Sequence, residues 1–369
     1  MIGAGPAGSR AAGRLARAGH EVRLFDRSFD REKPCGGGVP WCGLGQLTSL
    51  GASIRRVLFE GPGGRTAEVT LPRPIAVYSR RALDRALVEA SQSAGAVPVE
   101  RRVIGLAREG GAWRIALDGS RSAEADHVVG ADGARSVVRR ALGAPFASED
   151  LSQAVGWYVP GRTSDTMRIR FDARIPGYLW IFPRPDHLAV GACAPLRDGI
   201  AETLWESARD LLKTLGLSEE ALPRYSALIP SLRPSSLKAN RVAGPGWSLV
   251  GDAAGTVDPL TREGIRHGVR SADLLGSAFE RAVPLAYGTL WKEAFLPELS
   301  WAASRRDRFF EPDLTERLVR YIDRSRSIRR IMVDPILGRQ SYLSLKRRLL
   351  RAALPAGLEL ALSKALSSL

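Results

Sequence analysis

Three short stretches of this sequence combine glycine with a carboxylate in the way that nucleotide binding requires. The first is Gly3-Ala4-Gly5-Pro6-Ala7-Gly8, with Asp26 at the end of the next apolar run. Glycines at this spacing let the backbone approach a pyrophosphate, and the N-terminus of the following helix stabilises its charge. Asp26 stands where an acid accepts from a ribose hydroxyl pair. The second is Gly130-Ala131-Asp132-Gly133-Ala134-Arg135-Ser136. The third is Gly251-Asp252-Ala253-Ala254-Gly255, running on to Pro259 and Gly264-Ile265. Each places an Asp at the carboxyl end of a strand, where α/β folds bind ligands. The alternative for each is a turn with a helix-capping carboxylate. The order of all three favours nucleotide binding.

Two further stretches carry candidate chemistry of another kind. Lys33-Pro34-Cys35-Gly36-Gly37-Gly38 sets a thiol beside three glycines, which permit close backbone approach to a flat ring. Cys35 reads either as a small packed thiol or as a proton donor or gate. In Tyr178-Leu179-Trp180-Ile181-Phe182-Pro183, the residues Tyr178, Trp180 and Phe182 project to one face of a strand. That face is either an aromatic core stripe or the wall of an apolar tunnel whose rings stabilise transient positive charge. His20, His127, His187 and His267 form no metal-spaced pair, so no metal is expected. Gly43-Leu44-Gly45 does not lie between a strand and a helix and is not read as a second dinucleotide site.

The elements that must hold these residues follow from periodicity and punctuation. Ala7, Ala11 and Leu15 recur at helical spacing, Gly19-His20 ends that helix, and Val22 to Phe25 reads as a strand. Pro34 to Gly45 is a glycine-dense loop, Ala67 to Leu71 a strand, and Arg81 to Ala94 a helix. Trp113 to Leu117 and His127 to Val129 are expected as strands around a turn at Asp118-Gly119. Met167 to Phe171, Tyr178 to Phe182 and Leu188 to Cys193 form a cluster of strands. Trp247 to Val250 is a further strand, a helix starts near Gly264, and the chain is helical and basic from Leu285. The expected domains are a discontinuous nucleotide-binding α/β domain (1–45, 77–150, 241–300), an inserted substrate sheet (46–76, 151–240) and a basic helical region (301–369). Only Met1 and Ile2 precede Gly3. The strand at this place is central and buried on both faces, and strands run to about 5–6 residues. The expectation is therefore a reading frame that extends upstream by one apolar strand.

Composition narrows the setting. With 44% hydrophobic and 25% charged residues, large-scale disorder is excluded. Three cysteines are too few for a disulfide framework and suit a reducing, cytoplasmic compartment. No apolar run approaches a membrane span. The net charge is +15, and from Arg305 to Leu369 there are 15 Lys+Arg against 7 Asp+Glu. No nucleic-acid motif or stacking platform accompanies these basic residues, so nucleic acid is not an expected partner. Leu358, Leu362, Leu366 and Leu369 share one helical face behind Arg347, Arg348 and Arg351. Such a helix either lies on an anionic membrane, here the inner face of the cell membrane, or docks on the protein.

The order of the three glycine motifs resembles that of the flavoprotein group that includes aromatic hydroxylases, flavin halogenases and geranylgeranyl reductases, over nearly the whole chain to about residue 300. Cys35-Gly36-Gly37-Gly38 and the Tyr-x-Trp-x-Phe-Pro stretch are similar to the geranylgeranyl reductases. Two departures stand out: Cys193 in Gly191-Ala192-Cys193, where that family has Gly, and Arg262 between Asp258 and Ile265, where Gly is often expected. The resemblance implies a Rossmann-like FAD-binding domain of the aromatic hydroxylase type with an inserted β-sheet. It implies Gly3, Gly5, Ala7 and Gly8 at the FAD pyrophosphate, Asp26 and Arg27 at the adenosine ribose, and Arg80 near the pyrophosphate. Asp132, Gly251 and Asp252 complete the set, with Asp252 at the ribitol or pyrophosphate. Cys35, Gly36 and Gly37 are implied at the ring. The helix starting at Gly264-Ile265 is implied to point its positive end at the pyrimidine.

The implied activity is FAD-dependent reduction of carbon–carbon double bonds in an isoprenoid chain on a lipid, quinone or pigment precursor. Cys35, Tyr178 and Trp180 are the catalytic candidates, with Cys35 and Tyr178 as acids, and Tyr178, Trp180 and Phe182 the substrate wall. FAD carries the hydride, and a protein acid or water the proton. NAD(P)H, ferredoxin and a quinol stay open as electron donor, as does the oligomeric state. Two other readings stay open: an FAD-dependent monooxygenase or halogenase, which shares the three motifs, and a non-catalytic membrane-surface protein, which flavin content would separate.

Overall fold

The glycine-rich start turns into a helix because Gly3 takes a left-handed φ of +98° and Pro6 opens the helix Pro6–Arg17. Proline is pre-set for that first position and lacks an N–H that would have no helical partner. The computed structural model describes residues 1–40, 44–338 and 341–366. Gly43 and Leu369, which enter the readings above, lie outside the described residues, as do the side chains of Leu358, Leu362 and Leu366.

The chain folds as two units. The first comprises Met1–Lys33, Ser79–Ser152 and Leu228–Ala303; the second comprises Pro34–Tyr78, Gln153–Ala227 and Ser304–Leu369. The boundaries differ from those expected in three places. The glycine-dense loop from Pro34 belongs to the second unit, because Gly38–Pro40 pairs with the strand Thr66–Val77. Residues 228–240 belong to the first, because Leu232 and Leu237 enter its core and Arg233 bonds Asp150. The basic region joins the second: Glu316, in the helix Pro312–Arg324, accepts from the Gly63 N–H at 2.8 Å.

In the first unit Arg23–Asp26 pairs in parallel with Val97–Glu100, and Val128–Gly130 pairs in parallel with Trp247–Leu249. Ile2 bridges Phe25 on one side and Gly130 on the other, so this one buried residue joins the two pairs. The hairpin expected around Asp118-Gly119 forms, but with a different second arm. Arg121–Ala125 pairs with Ala112–Leu117, while Val128–Gly130 enters the parallel sheet. Arg121-Ser-Ala-Glu-Ala carries no β-branched or aromatic residue, so its strand comes from pairing rather than propensity. The helices Pro6–Arg17 and Ile265–Glu280 pack through small residues. A Cβ on Gly268 would meet the Ala7 Cβ at 3.2 Å.

His127 is a half-buried structural histidine at the edge of this core. Its Nε2 lies 3.0 Å from the Ser248 hydroxyl and its ring meets Phe279 edge-on at 5.0 Å. Burial pushes its pKa from the ordinary 6.5 down to about 4. Below pH 6.5 the unfolded chain takes up a proton that the folded protein refuses. Stability contributed by the neutral ring is full above pH 6.5 and is lost as pH falls towards 4, by about 3 kcal/mol in all. His127→Gln is therefore expected to flatten the pH dependence of Tm across this window. An unchanged slope would show that the ring titrates normally in the fold.

The second unit carries an eight-stranded sheet. Its order runs Arg224–Pro230, Leu151–Pro160, His187–Pro195, Tyr178–Pro183, Thr166–Arg170, Ala52–Glu60, Thr66–Val77, Gly38–Pro40. One face is closed by the helix Ile200–Lys213, whose Leu204, Ala208 and Leu211 pack with Leu179, Ile181, Val190 and Ala192. Tyr178, Trp180 and Phe182 alternate with those residues and lie on the opposite face. In the basic region the helix Tyr342–Leu366 is tied down by Glu359, which accepts from the Ser325 and Ser327 hydroxyls and the Ser327 N–H. Leu343 and Leu350 of that helix are exposed beside Lys346, Arg347 and Arg351. Among the described residues no helix is long and apolar enough to cross a membrane.

Candidate active site

The first unit builds a cationic cradle around Gly5. A Cβ on Gly5 would meet nothing closer than the Arg80 Nη2 and the Lys33 Nζ, each at 3.9 Å. The helix begins one residue later and has no acidic residue in its first turn. Two fixed cations and a positive helix end around open space fit a diphosphate. Both cations are held by Asp84. Arg80 makes a bidentate pair with it at 3.0 and 3.1 Å, and Lys33 approaches to 2.8 Å. Burial opposes ionisation of Asp84, but Arg80 and Lys33 outweigh it and hold the carboxyl below its ordinary range. For Lys33, burial dominates and lowers its pKa. Glu32 anchors the start of the Arg80 helix by accepting from the Arg80 N–H at 2.7 Å.

Asp26 ends its strand beside this cradle. Its carboxylate accepts from the Ala4 N–H at 2.9 Å and from Arg31 at 3.2 Å, with Lys33 3.7 Å away. Burial again works against the charge, and Lys33, the Ala4 N–H and Arg31 together keep the carboxyl depressed. Gly8 lies where a Cβ would fall 1.9 Å from the Gly3 carbonyl, so the helix can sit on the turn only with glycine there. Ala7 faces the packing side, towards Gly251 and Gly268, and Arg27 is exposed after the strand.

The second and third motifs are joined by a residue that sequence reasoning passed over. Asp132 accepts from the Val137 N–H at 2.6 Å and so caps the short helix that begins there. Burial raises its pKa. From that helix the buried Arg139 donates to the Ala253 carbonyl at 3.0 Å and to Asn240, which donates in turn to the Ala254 carbonyl at 2.9 Å. These bonds fix the turn from Gly251 to Gly255. Asp252 projects from it to the N-terminus of the helix Ile265–Glu280. A Cβ on Gly264 would fall 2.9 Å from its Oδ1. Desolvation raises the Asp252 pKa against the pull of Arg80. Ile265 is buried as the first residue of that helix. Arg262, in the loop before it, holds φ +59°, the left-handed region that Gly adopts freely.

The second unit brings the two other motifs together. Gly36 lies against the Phe182 ring, where an added Cβ would come within 2.6 Å of it. Tyr178 is 5.9 Å from Trp180 and Trp180 is 6.4 Å from Phe182, centroid to centroid. Across the sheet, Tyr178, Trp180 and Phe182 face Cys193, Gly191 and Ala189. Each large ring thus has a small residue opposite, and Cys193 adds volume beside Tyr178 alone. Trp180 is almost fully buried, and Tyr178 and Phe182 are partly exposed. No motif or spacing marks Phe310, which stacks on Tyr178 at 6.4 Å, or Tyr225, which is buried beside Trp180 and donates to the Val190 carbonyl at 3.1 Å. The Cys35 Sγ accepts from the Gly37 N–H at 3.3 Å. Among the described residues no group of His, Cys, Asp and Glu could hold a metal.

Residues 50–225 match the family model of an FAD binding domain. The chain is 32% identical over 322 residues to the geranylgeranyl diphosphate reductase of Rhodobacter capsulatus, covering 81% of this chain and 79% of that protein. The chain belongs to the geranylgeranyl reductase family of flavoproteins. FAD is its cofactor, and the cradle of Gly3, Gly5, Gly8, Lys33 and Arg80 fits the diphosphate of that group. A second member, the menaquinone reductase of Mycobacterium tuberculosis, is 31% identical over 307 residues, 74% of each chain. The fold is that of a geranylgeranyl bacteriochlorophyll reductase-like protein from Thermoplasma acidophilum, at a TM-score of 0.77 and 21% identity, covering 94% of this chain and 97% of that one.

Proposed function

We propose that this flavoprotein reduces carbon–carbon double bonds in the isoprenoid chain of a lipid or quinone-like substrate. The observation that carries the reading is the seating of Gly36 on the Phe182 ring, which joins the Cys-Gly-Gly-Gly loop to the aromatic strand in one surface. The relatives are named for a geranylgeranyl diphosphate and a menaquinone, and an isoprenoid chain is common to both. FAD, once reduced, supplies the hydride. The residues of this chain provide placement and dryness. Trp180 and Phe182 present apolar ring faces that suit an alkene and exclude water from it. Cys35 and Tyr178 border those rings and are the protein groups proposed to donate the proton.

Reduced protein held without oxygen with a geranylgeranyl lipid is expected to raise the lipid mass by about 2 units per double bond. Mass spectrometry of the extracted lipid reads this directly. Product heavier by oxygen or halogen, formed only in air, would put the chain among the oxygenating members of the same fold.

A further inference from the structure

Arg184 follows the aromatic strand directly and is completely buried. A guanidinium removed from water is costly unless its donors are used. Its Nη1 lies 3.0 Å from the His187 Nε2, and its Nη2 donates to the Cys35 carbonyl. Arginine can only donate, so the His187 Nε2 accepts. The Nδ1–H then donates to the Asp186 carboxylate at 2.7 Å. The Tyr158 ring lies 5.3 Å from the guanidinium carbon, and the turn is closed by the Arg184 N–H donating to the His187 carbonyl at 2.8 Å. The fork is therefore fixed on the sheet side before it reaches the loop.

The loop is held at the neighbouring residues too. The Tyr78 N–H donates to the Gly37 carbonyl at 2.9 Å, and the Gly37 N–H goes to the Cys35 Sγ. Gly37 has φ +83°, and a Cβ there would fall 2.3 Å from the Tyr78 carbonyl. Between these ties the direction of the Cys35 thiol and the plane of the Gly36 peptide depend on where the Cys35 carbonyl points. We infer that Arg184 is a positioning residue of the active site: through the Cys35 carbonyl it sets the orientation of the Cys-Gly-Gly-Gly loop, with His187 holding the guanidinium in plane. Lysine at this position reaches one of the two acceptors but cannot present a planar fork to both. The inference rests on the loop being part of the active site, as proposed above.

The test uses the FAD-loaded protein as purified. Iodoacetamide is added without substrate, and alkylation of each cysteine is followed by peptide mass spectrometry. In Arg184→Gln the alkylation rate at Cys35 is expected to rise about fivefold while the buried Cys193 stays protected, because only the loop is freed. In turnover with a geranylgeranyl lipid, kcat is expected to fall about tenfold with KM changed less than about twofold, and Arg184→Lys to recover part of both losses. His187→Leu keeps Arg184 but removes its acceptor, together with the imidazole's bond to Asp186 and its edge contact with Tyr158, and is expected to shift Cys35 in the same direction by less; it carries the test alone if the Arg184 variants do not fold. A Cys35 rate within about twofold of the parent, or Cys193 opening together with Cys35, would overturn the assignment. The alkylation arm needs no substrate, so a substrate outside the isoprenoid class would leave that result standing.

Discussion

Gly8→Ala is expected to give a protein that carries little or no FAD and melts well below the parent. The added methyl would lie 1.9 Å from the Gly3 carbonyl oxygen and 2.9 Å from the Ala131 Cβ. Neither neighbour is the free end of a side chain, so the helix must lift from the turn or the turn must open. Overpacking of this kind costs about 1–3 kcal/mol, and more where backbone is the obstacle. Either movement carries the first-turn N–H groups away from Lys33 and Arg80, which separates the parts of the diphosphate cradle. Gly5→Ala provides the contrast. Its methyl would meet only the two cationic groups at 3.9 Å, so the fold accepts it, but the methyl enters the cradle itself. Flavin absorbance per polypeptide should fall in both variants, whereas the Tm of the flavin-free protein should fall only for Gly8→Ala. Full flavin content in Gly8→Ala would refute the close-approach role of that glycine.

The difference between these two glycines was not visible in the sequence, although the motif that contains them was. Glycine spacing, a following helix and an acid at the next strand end are local features, and they marked Gly3, Gly5, Gly8 and Asp26. Lys33 and Asp84 are ordinary charged residues with the strands Gly38–Pro40, Ala52–Glu60 and Thr66–Val77 between them in sequence. Their role comes from a 2.8 Å contact that folding creates. Arg139 was similarly silent: it reads as one more basic residue of a basic chain until its bond to the Ala253 carbonyl is seen. Arg184 did carry a signal, since it directly continues the Tyr178-to-Pro183 stretch and precedes His187 by three residues, but a single buried arginine has no period or spacing to mark it. The misassigned hairpin arm has a physical cause as well. Val128 and Val129 have strong strand propensity, so His127 to Val129 looks in sequence like the partner of Trp113 to Leu117, while the true partner, Arg121–Ala125, is strand only because it is paired. Segment allegiance was the least readable feature. Pro34 to Gly38 looks in sequence like an extension of the nucleotide site, yet its backbone bonds run to Tyr78 and the strand before it.

The aromatic strand offers the second large effect. Gly191→Ala is expected to reduce kcat/KM for alkene reduction by more than about tenfold while leaving FAD content unchanged. A methyl at Gly191 would come within 2.5 Å of the Trp180 Cζ2, 2.6 Å of the Val155 carbonyl and 2.8 Å of the Tyr225 hydroxyl. Of these the carbonyl cannot yield without breaking the sheet, so the indole must turn towards the face shared with Tyr178 and Phe182, the side proposed above to meet the substrate. Trp180→Phe shortens the ring and removes the nearest clash, at a cost of its own in lost ring surface. If the two residues share one space, the double variant Gly191→Ala, Trp180→Phe should be more active than the sum of the single losses predicts, by a coupling of about 0.5–3 kcal/mol. Rescue should still be incomplete, because the Val155 carbonyl stays in place. Steady-state kinetics on the four proteins, with flavin content measured on each, decide the matter. Losses that add within about 0.5 kcal/mol would mean that Gly191 does not act through Trp180. A coupled result with flavin intact places the indole on the path of the substrate, because a ring that served only to pack the sheet would gain stability from the relief without regaining turnover.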